Sequence, residues 1–304
     1  MLAMKLSQLR NVRAIAERGS LRGAARALGL AQPALTRSIH ELEHELGAAL
    51  FERQRRGMTL TPAGQAFVRR ANLILGDVRR AHEEVQQMSG SARGTVVAGL
   101  SFAAHVALLP HSLRRFRKRY PQVFLRLIEG FFPSMEAALK DGSVDFYAGP
   151  RPDGAVSDGL IVETLFNHDM SIVCRAGHPL ARALKSEKTA SLIDLADCEW
   201  VTAGITHLAD EELGAVFERN QLPPRKVVAQ AHSALSLMMT LISSDMLAMV
   251  PLQFTDYPLA KGAVTAIPVK ERLPGPTMVL VRRSGLQLTP AAQYFVDLLQ
   301  PQSS

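Results

Sequence analysis

Between residues 62 and 90 the chain has no proline after its first turn, and apolar or small residues recur at Phe67, Ala71, Ile74, Val78, Ala81, Val85 and Met88. Alternating steps of four and three make a heptad seam. A stretch with this pattern has one good solution, a single helix about 40 Å long at roughly 1.5 Å per residue. Arg69, Arg70, Arg79, Arg80, Glu83 and Glu84 fall outside the seam. The helix therefore reads as an arm that pairs with a second copy, and packing on its own domain is the alternative. Ser89-Gly90-Ser91-Ala92-Arg93-Gly94 reads as a short hinge after it.

The arm divides a 304-residue chain that is too long for one ordinary core. Charge is distributed unequally about it. Residues 1–92 hold 14 Lys and Arg against 8 Asp and Glu, whereas residues 93–304 hold 21 against 20. A basic segment on a neutral partner is the footprint of a protein that meets phosphates at one end, although a solvated basic surface leaves the same count. No apolar run approaches the roughly 20 residues of a membrane span. The start, Met1 to Leu6, lacks the apolar core of a signal peptide, and polar Ser7, Gln8 and Arg10 follow. A cytoplasmic protein with no membrane partner is the expectation. Cys174 and Cys198 have no metal spacing and no disulfide framework, so they read as packed thiols, and neither metal nor cofactor is expected.

Residues 6–18 have helical apolar spacing and stop at Gly19. Ser20 suits the N-cap of an alanine-rich helix over 21–28, and Gly29 ends it. A third helix opens at Ala31-Gln32-Pro33, where proline's missing N–H costs nothing. Two short helices joined by a glycine turn make a helix-turn-helix, whose second helix enters the major groove N-terminus first. Leu35, Ile39, Leu42 and Leu46 share one face of it, and Gln32, Thr36 and Arg37 share the other. Gln pairs bidentately with adenine and Arg with guanine. The same pattern also fits a solvated face in a small bundle. Leu50 to Thr61 reads as a β-hairpin wing whose Arg53, Arg55 and Arg56 would lie along the phosphates. Thr61 caps the arm.

Five segments in order, Ser20 to Leu28, Gln32 to Ile39, Leu42 to Gly47, Leu50 to Arg53 and Leu60 to Gly64, resemble the N-terminal signature of LysR-type transcriptional regulators. The match spans about 60 residues and is better if Met4 rather than Met1 is the natural start. The resemblance implies an N-terminal winged helix-turn-helix of mainly helical class, a linker helix, and a two-lobed α/β effector domain like the periplasmic binding proteins. It implies base-reading positions at Gln32, Pro33, Thr36 and Arg37, with Ser20, Arg22, Arg53, Arg55, Arg56 and Thr61 completing the DNA-facing set. It implies double-stranded DNA with an interrupted inverted repeat as partner, a homodimer or homotetramer, and leaves RNA polymerase open as a further partner.

After the arm, strands and helices alternate. Strands over 95–100, 123–129 and 144–149 with helices over 106–119 and 134–140 make a βαβαβ order, which argues a parallel sheet with helices on its faces. Later segments at 171–175, 200–201, 226–230, 247–250 and 264–268 form a second group, before a strand at 278–282 and a last helix over 290–299. The expected division is 1–61 for the DNA-binding head, 62–92 for the arm, 93–165 with 270–304 for one lobe, and 166–269 for the other.

Ligands of open α/β sheets sit where strands end and helix N-termini offer free N–H groups. Four such junctions place Ser101 and Phe102, Phe132 and Ser134, Thr202, and His232 with Ser233 around a cleft. Each hydroxyl by itself is more often an ordinary N-cap, and it is their joint placement at four junctions that points to a cleft. Positive helix ends favour an anion, and Phe102, Phe131 and Phe132 could wall a ring, so the expected effector is an aromatic carboxylate or sulfonate. The Cys174 to Pro179 segment and Leu127 to Gly130 bear a partial likeness to regulators of aminobenzoyl-glutamate or toluenesulfonate use. A two-lobed binding protein or enzyme with incidental DNA affinity is the other class. The chain has no G-x-S-x-G, P-loop or G-x-G-x-x-G after a strand to support it.

Overall fold

The computed structural model describes residues 4–54, 57–90, 93–152, 154, 156–183, 189–203, 208–256 and 260–300. The chain gathers into two compact units, residues 1–91 with 137–144 and residues 92–136 with 145–304.

The first unit begins with helices α1 (Leu6–Arg18), α2 (Leu21–Leu28) and α3 (Gln32–Leu46). Each helix ends on a glycine. At Gly29 the backbone turns left-handed (φ 66°), and the Leu30 N–H returns to the Ala25 carbonyl at 2.9 Å. This closure needs a residue without a Cβ penalty. The apolar faces of the three helices meet in one core of Val12, Ile15, Ala24, Leu35, Ile39 and Leu42, joined by Leu50 and Phe51. Truncating one such leucine costs about 2–5 kcal/mol. Strands β1 (Phe51–Gln54) and β2 (Gly57–Leu60) pair antiparallel, from Phe51 opposite Leu60 to Gln54 opposite Gly57. The wing is therefore present. Arg55 and Arg56 lie outside the described residues. A Cβ on Gly57 would stand 2.3 Å from the Gly19 carbonyl oxygen, and the Met58 N–H donates to that same oxygen at 2.8 Å. The missing side chain thus lets the wing lie against the α1–α2 turn.

Helix α4 (Pro62–Met88) runs unbroken for 27 residues. Its seam divides into two uses. Phe67 and Ala71, with Leu75, pack on Leu9 of α1. Ile74, Val78, Val85 and Met88 are solvent-exposed, Val85 at 65% and Met88 at 76%. Arg80 and Glu83 are buried instead. Arg80 donates to the Gly142 carbonyl at 3.2 Å and pairs with Asp77 at 2.8 Å, while Glu83 pairs with Arg79 at 2.8 Å. A heptad drawn on apolar residues does not reveal this second, polar contact face.

In the second unit β3 (Gly94–Leu100), α5 (Phe102–Ala107), α6 (Leu109–Arg119), β4 (Val123–Glu129), α7 (Phe132–Lys140), β5 (Phe146–Pro150) and β6 (Leu160–Phe166) come first; the last turn of α7 belongs to the first unit. Then follow β7 (Met170–Arg175), α8 (Pro179–Ala183), β8 (Glu199–Ala203), α9 (Leu208–Arg219), β9 (Lys226–Ala231), α10 (Ala234–Ile242), β10 (Ala248–Pro251), β11 (Val264–Ile267), β12 (Met278–Arg283) and α11 (Pro290–Leu299). One sheet has the order β4-β3-β5-β12-β6, and another has β10-β7-β11, with β8-β9 as a separate pair. Strands β4, β3 and β5 are mutually parallel, as the βαβαβ pattern predicts. Strand β12 runs antiparallel to both β5 and β6. Strand β6 was not anticipated, because Leu160-Ile-Val-Glu-Thr-Leu-Phe166 has no clean period of two. The single helix expected over 106–119 is two helices that meet at Leu108. Pro110 lies in the first turn of α6, where a proline starts a helix more easily than it continues one.

The chain passes from the first sheet to the second after Phe166 and returns after Ile267. The two crossover segments lie side by side: Gly275 N–H donates to His168 O at 2.9 Å and Met170 N–H to Leu273 O at 2.7 Å. Thr277 donates to the Asn167 side-chain oxygen at 2.8 Å.

Candidate nucleic-acid interface and ligand cleft

The head presents the N-terminal end of α3. Leu35 and Ile39 are buried, so the helix must turn Gln32, Pro33 and Arg37 outward, and all three are exposed. Thr36 is half-buried, and its hydroxyl donates to the Gln32 carbonyl at 3.0 Å. It offers a methyl and lone pairs rather than a free O–H. Arg22 on α2 and Arg53 on the wing are exposed. Glu43, toward the C-terminal end of α3, accepts the Leu50 N–H at 2.7 Å and the Phe51 N–H at 3.2 Å. This carboxylate holds the wing to the recognition helix, a role the sequence pattern did not disclose.

Two members of the expected DNA-facing set have other work. Thr61 is buried; its hydroxyl accepts from Gly64 N–H at 2.9 Å and donates to the Ala49 carbonyl at 2.7 Å. It caps α4, and its one O–H donor is already used. Ser20 is half-buried and accepts from Gly23 N–H at 3.1 Å as the cap of α2.

In the second unit the strand ends gather around one apolar cluster that contains Phe102, Val201, Ala231, Leu237 and Phe254. Phe102 follows Ser101 at the end of β3, Val201 precedes Thr202 near the end of β8, and Ala231 precedes His232 and Ser233 after β9. The cluster thus brings three of the four expected junctions into one neighbourhood. Ser101 is 1% exposed and caps α5 by accepting from Ala104 N–H at 3.1 Å. Thr202 is buried. Ser233 caps α10, accepting from Ser236 N–H at 3.1 Å, and His232 is exposed.

The aromatic walls need correction. Phe102 is 8% exposed and packs its ring on Phe254, centroids 5.5 Å apart. It joins α5 to the second sheet's core instead of facing a ligand. Phe132 is 7% exposed and meets the Tyr147 ring edge-on at 6.0 Å. Ser134 is exposed and bonds back to the Phe131 carbonyl at 2.8 Å, because α7 starts two residues earlier than the hydroxyl suggested. The residue that sequence reasoning missed is Glu129, at the end of β4. Its carboxylate accepts the Ala234 N–H at 3.1 Å. Helix α10 has no acidic residue in its own first turn, so Glu129 supplies the negative charge that the helix end favours.

Among the described residues no group of three or more His, Cys, Asp and Glu side chains is placed to hold a metal ion, and no helix is long and apolar enough to cross a membrane. Cys174 is buried, and burial pushes its thiol up to about 11. Burial also raises Cys198, more weakly.

Residues 6–65 match the bacterial regulatory helix-turn-helix protein, lysR family, and residues 89–304 match the LysR substrate binding domain. The chain belongs to the LysR family of transcriptional regulators. This LysR-family protein is 27% identical over 286 residues to the HTH-type transcriptional regulator TdcA of Escherichia coli K12, covering 94% of this chain and 89% of that one. Its fold is similar to that of a full-length OxyR variant from Pseudomonas aeruginosa, with TM-score 0.71, 22% identity and 98% of each chain covered. It is equally similar to full-length CbnR solved with its target DNA, with TM-score 0.70, 23% identity, 97% of this chain and 99% of that one. The protein is thus a DNA-binding transcriptional regulator with a small-molecule-binding domain.

Proposed function

We propose that this regulator reads an interrupted inverted repeat through Gln32, Pro33, Thr36 and Arg37. Arg22, Arg53, Arg55 and Arg56 supply phosphate contacts. The carrying observation is the solvent-facing N-terminal turn of α3, where Gln32, Pro33 and Arg37 are exposed above buried Leu35 and Ile39. Residues 1–61 are the head, 62–92 the arm, 93–165 with 270–304 one lobe, and 166–269 the other; the membership of strands in the two sheets supports this division. The exposed seam Ile74, Val78, Val85 and Met88 supports pairing with a second copy into a dimer or tetramer, with RNA polymerase as a further partner.

The effector is a small anion, an aromatic carboxylate or sulfonate, held at Ser101, Thr202, His232 and Ser233. The capped helix ends support the anion. Of the three phenylalanines considered as walls, Phe131 alone is only half-buried, so it is the ring contact. The anion must share the α10 end with Glu129 or displace it. By linkage, an effector that prefers one lobe arrangement shifts the spacing of the heads, and with it DNA bend and promoter activity. The reading assigns the chain no catalysis, and it places the protein in the cytoplasm.

Capture of sheared genomic DNA at moderate salt, followed by sequencing, tests it. A few sharp peaks containing an inverted repeat support the reading. Uniform retention by the full-length protein, with effector candidates present or absent, overturns it.

A further inference from the structure

We propose that His40 and His44 of α3 form a two-imidazole clamp for a late first-row transition-metal dication, of the nickel, copper or zinc class. Residues 40–44 read His-Glu-Leu-Glu-His. On an α-helix this spacing stacks two side chains one turn apart on one face, with Cβ atoms about 5–6 Å apart. Both rings can then reach one ion at about 2.0–2.1 Å. Of the nine histidines in the chain, only these two stand three or four residues apart. Ile39 and Leu42 occupy the buried face of the helix. Both histidines are exposed, the His40 side chain at 75%.

The surroundings favour a cation. From residue 38 to residue 52 the chain has no Lys or Arg and carries Glu41, Glu43, Glu45 and Glu52. His44 lies in the last turn of α3, where unpaired carbonyls give the helix end a partial negative charge. Glu43 Oε2 stands 3.9 Å from His40 Nδ1, which favours the proton on Nδ1 and leaves the Nε2 lone pair for an ion. The other oxygen of that carboxylate accepts the Leu50 and Phe51 N–H groups. The group behind the clamp is therefore the one that ties the wing to α3, so an ion held here steadies both. Among the described residues no third His, Cys, Asp or Glu completes a cage, and water takes the remaining positions. Imidazole ligands select this class of ion over magnesium or calcium, which prefer oxygen. The same spacing serves zinc proteases, but a catalytic zinc takes three protein ligands, so the site is one of binding alone. It lies apart from the effector junctions and does not rest on the DNA contacts proposed above.

Calorimetric titration of the full-length protein with nickel(II) tests this, at about pH 7.5, above the usual histidine range. His40→Gln and His44→Ala should each weaken the tightest binding step at least about tenfold, because one imidazole loses the help of a second held beside it. His44→Ala combined with Glu45→His keeps the number of histidines but breaks the spacing, and should bind no better than His44→Ala alone. Nickel should raise the melting temperature of the wild type and of none of the variants, and magnesium should not replace it. Melting curves without metal report whether each variant folds; if the combined variant does not, the two single substitutions decide. No nickel binding, a tightest step unchanged by either single substitution, wild-type binding by the respaced variant, or an equal response to magnesium overturns the site. Selective DNA retention in the presence of a chelator reads the regulator function separately, so the clamp can fail while that function stands.

Discussion

Glu129, at the end of β4 in the first sheet, accepts a hydrogen bond from the backbone N–H of Ala234, the first residue of α10, at 3.1 Å. A side chain from one lobe thus occupies the helix end of the other. A negative group at such an end is worth about 0.3–1 kcal/mol. Glu129→Gln should lower the stability of the ligand-free protein by about that amount and should make it respond more strongly to added anion. Melting curves with and without p-toluenesulfonate check both. An anion-induced shift no larger than in the wild type would show that Glu129 and the effector do not compete.

The head makes a contrast between two arginines testable. Arg37→Ala should cost about 1–3 kcal/mol on the selected DNA site and relax base preference at one position, while Arg53→Ala should weaken all duplexes alike and reduce the salt slope by about 1. Anisotropy titrations on cognate and scrambled duplexes at several salt concentrations separate the two. Equal, sequence-blind losses would remove Arg37 from the reading face.

Arg80 lies beneath Gly142 and donates to its carbonyl. Arg80→Met leaves that carbonyl short of a donor, at about 1–3 kcal/mol. Urea unfolding should report this loss, and Arg80→Lys should not restore it fully, because a single ammonium cannot reach both Gly142 and Asp77 as the fork does. Unchanged midpoints would mean the contact contributes nothing net.

The exposed seam is tested by Val78→Glu and Val85→Glu. Both place a charge where a second copy would pack, and the dissociation constant of the self-associated form should rise by at least about tenfold. Sedimentation velocity reads it, and an unaltered assembly would leave α4 without a pairing role.

His168 sits on the first crossover, its ring 6.1 Å from Phe166. Burial pulls its pKa below the usual histidine value, against an opposing pull from Asp169 and the Pro276 backbone. The unfolded chain then binds more protons than the folded one below about pH 6.5. Stability should fall as pH drops through that window and stay level above it. His168→Gln should flatten the pH dependence of the melting temperature between about pH 5 and 7. An unaltered slope would place the proton uptake elsewhere.

What could be read from the residues alone was whatever depends on local chemistry. The glycine stops at 19, 29 and 47, the Ser20 and Thr61 caps, the period of Leu35, Ile39 and Leu42, and the four-three steps of the arm each follow from short-range rules of backbone and helix geometry. The same rules put Gln32, Pro33 and Arg37 on the outer face, because the inner face was already occupied by leucines.

What only tertiary structure decided was every choice between two surfaces that a residue could equally serve. Phe102 and Phe132 had the right place in the chain to wall a ligand, yet packing against Phe254 and Tyr147 took them into cores. Phe67 and Ala71 fitted the pairing seam, yet α1 used them, and Arg80 looked like a solvated charge until the 141–143 loop covered it. Nothing local to Glu129 disclosed its contact with α10, since its partner lies 105 residues away. Helical period says which residues share a face; only the long-range contacts say what that face meets.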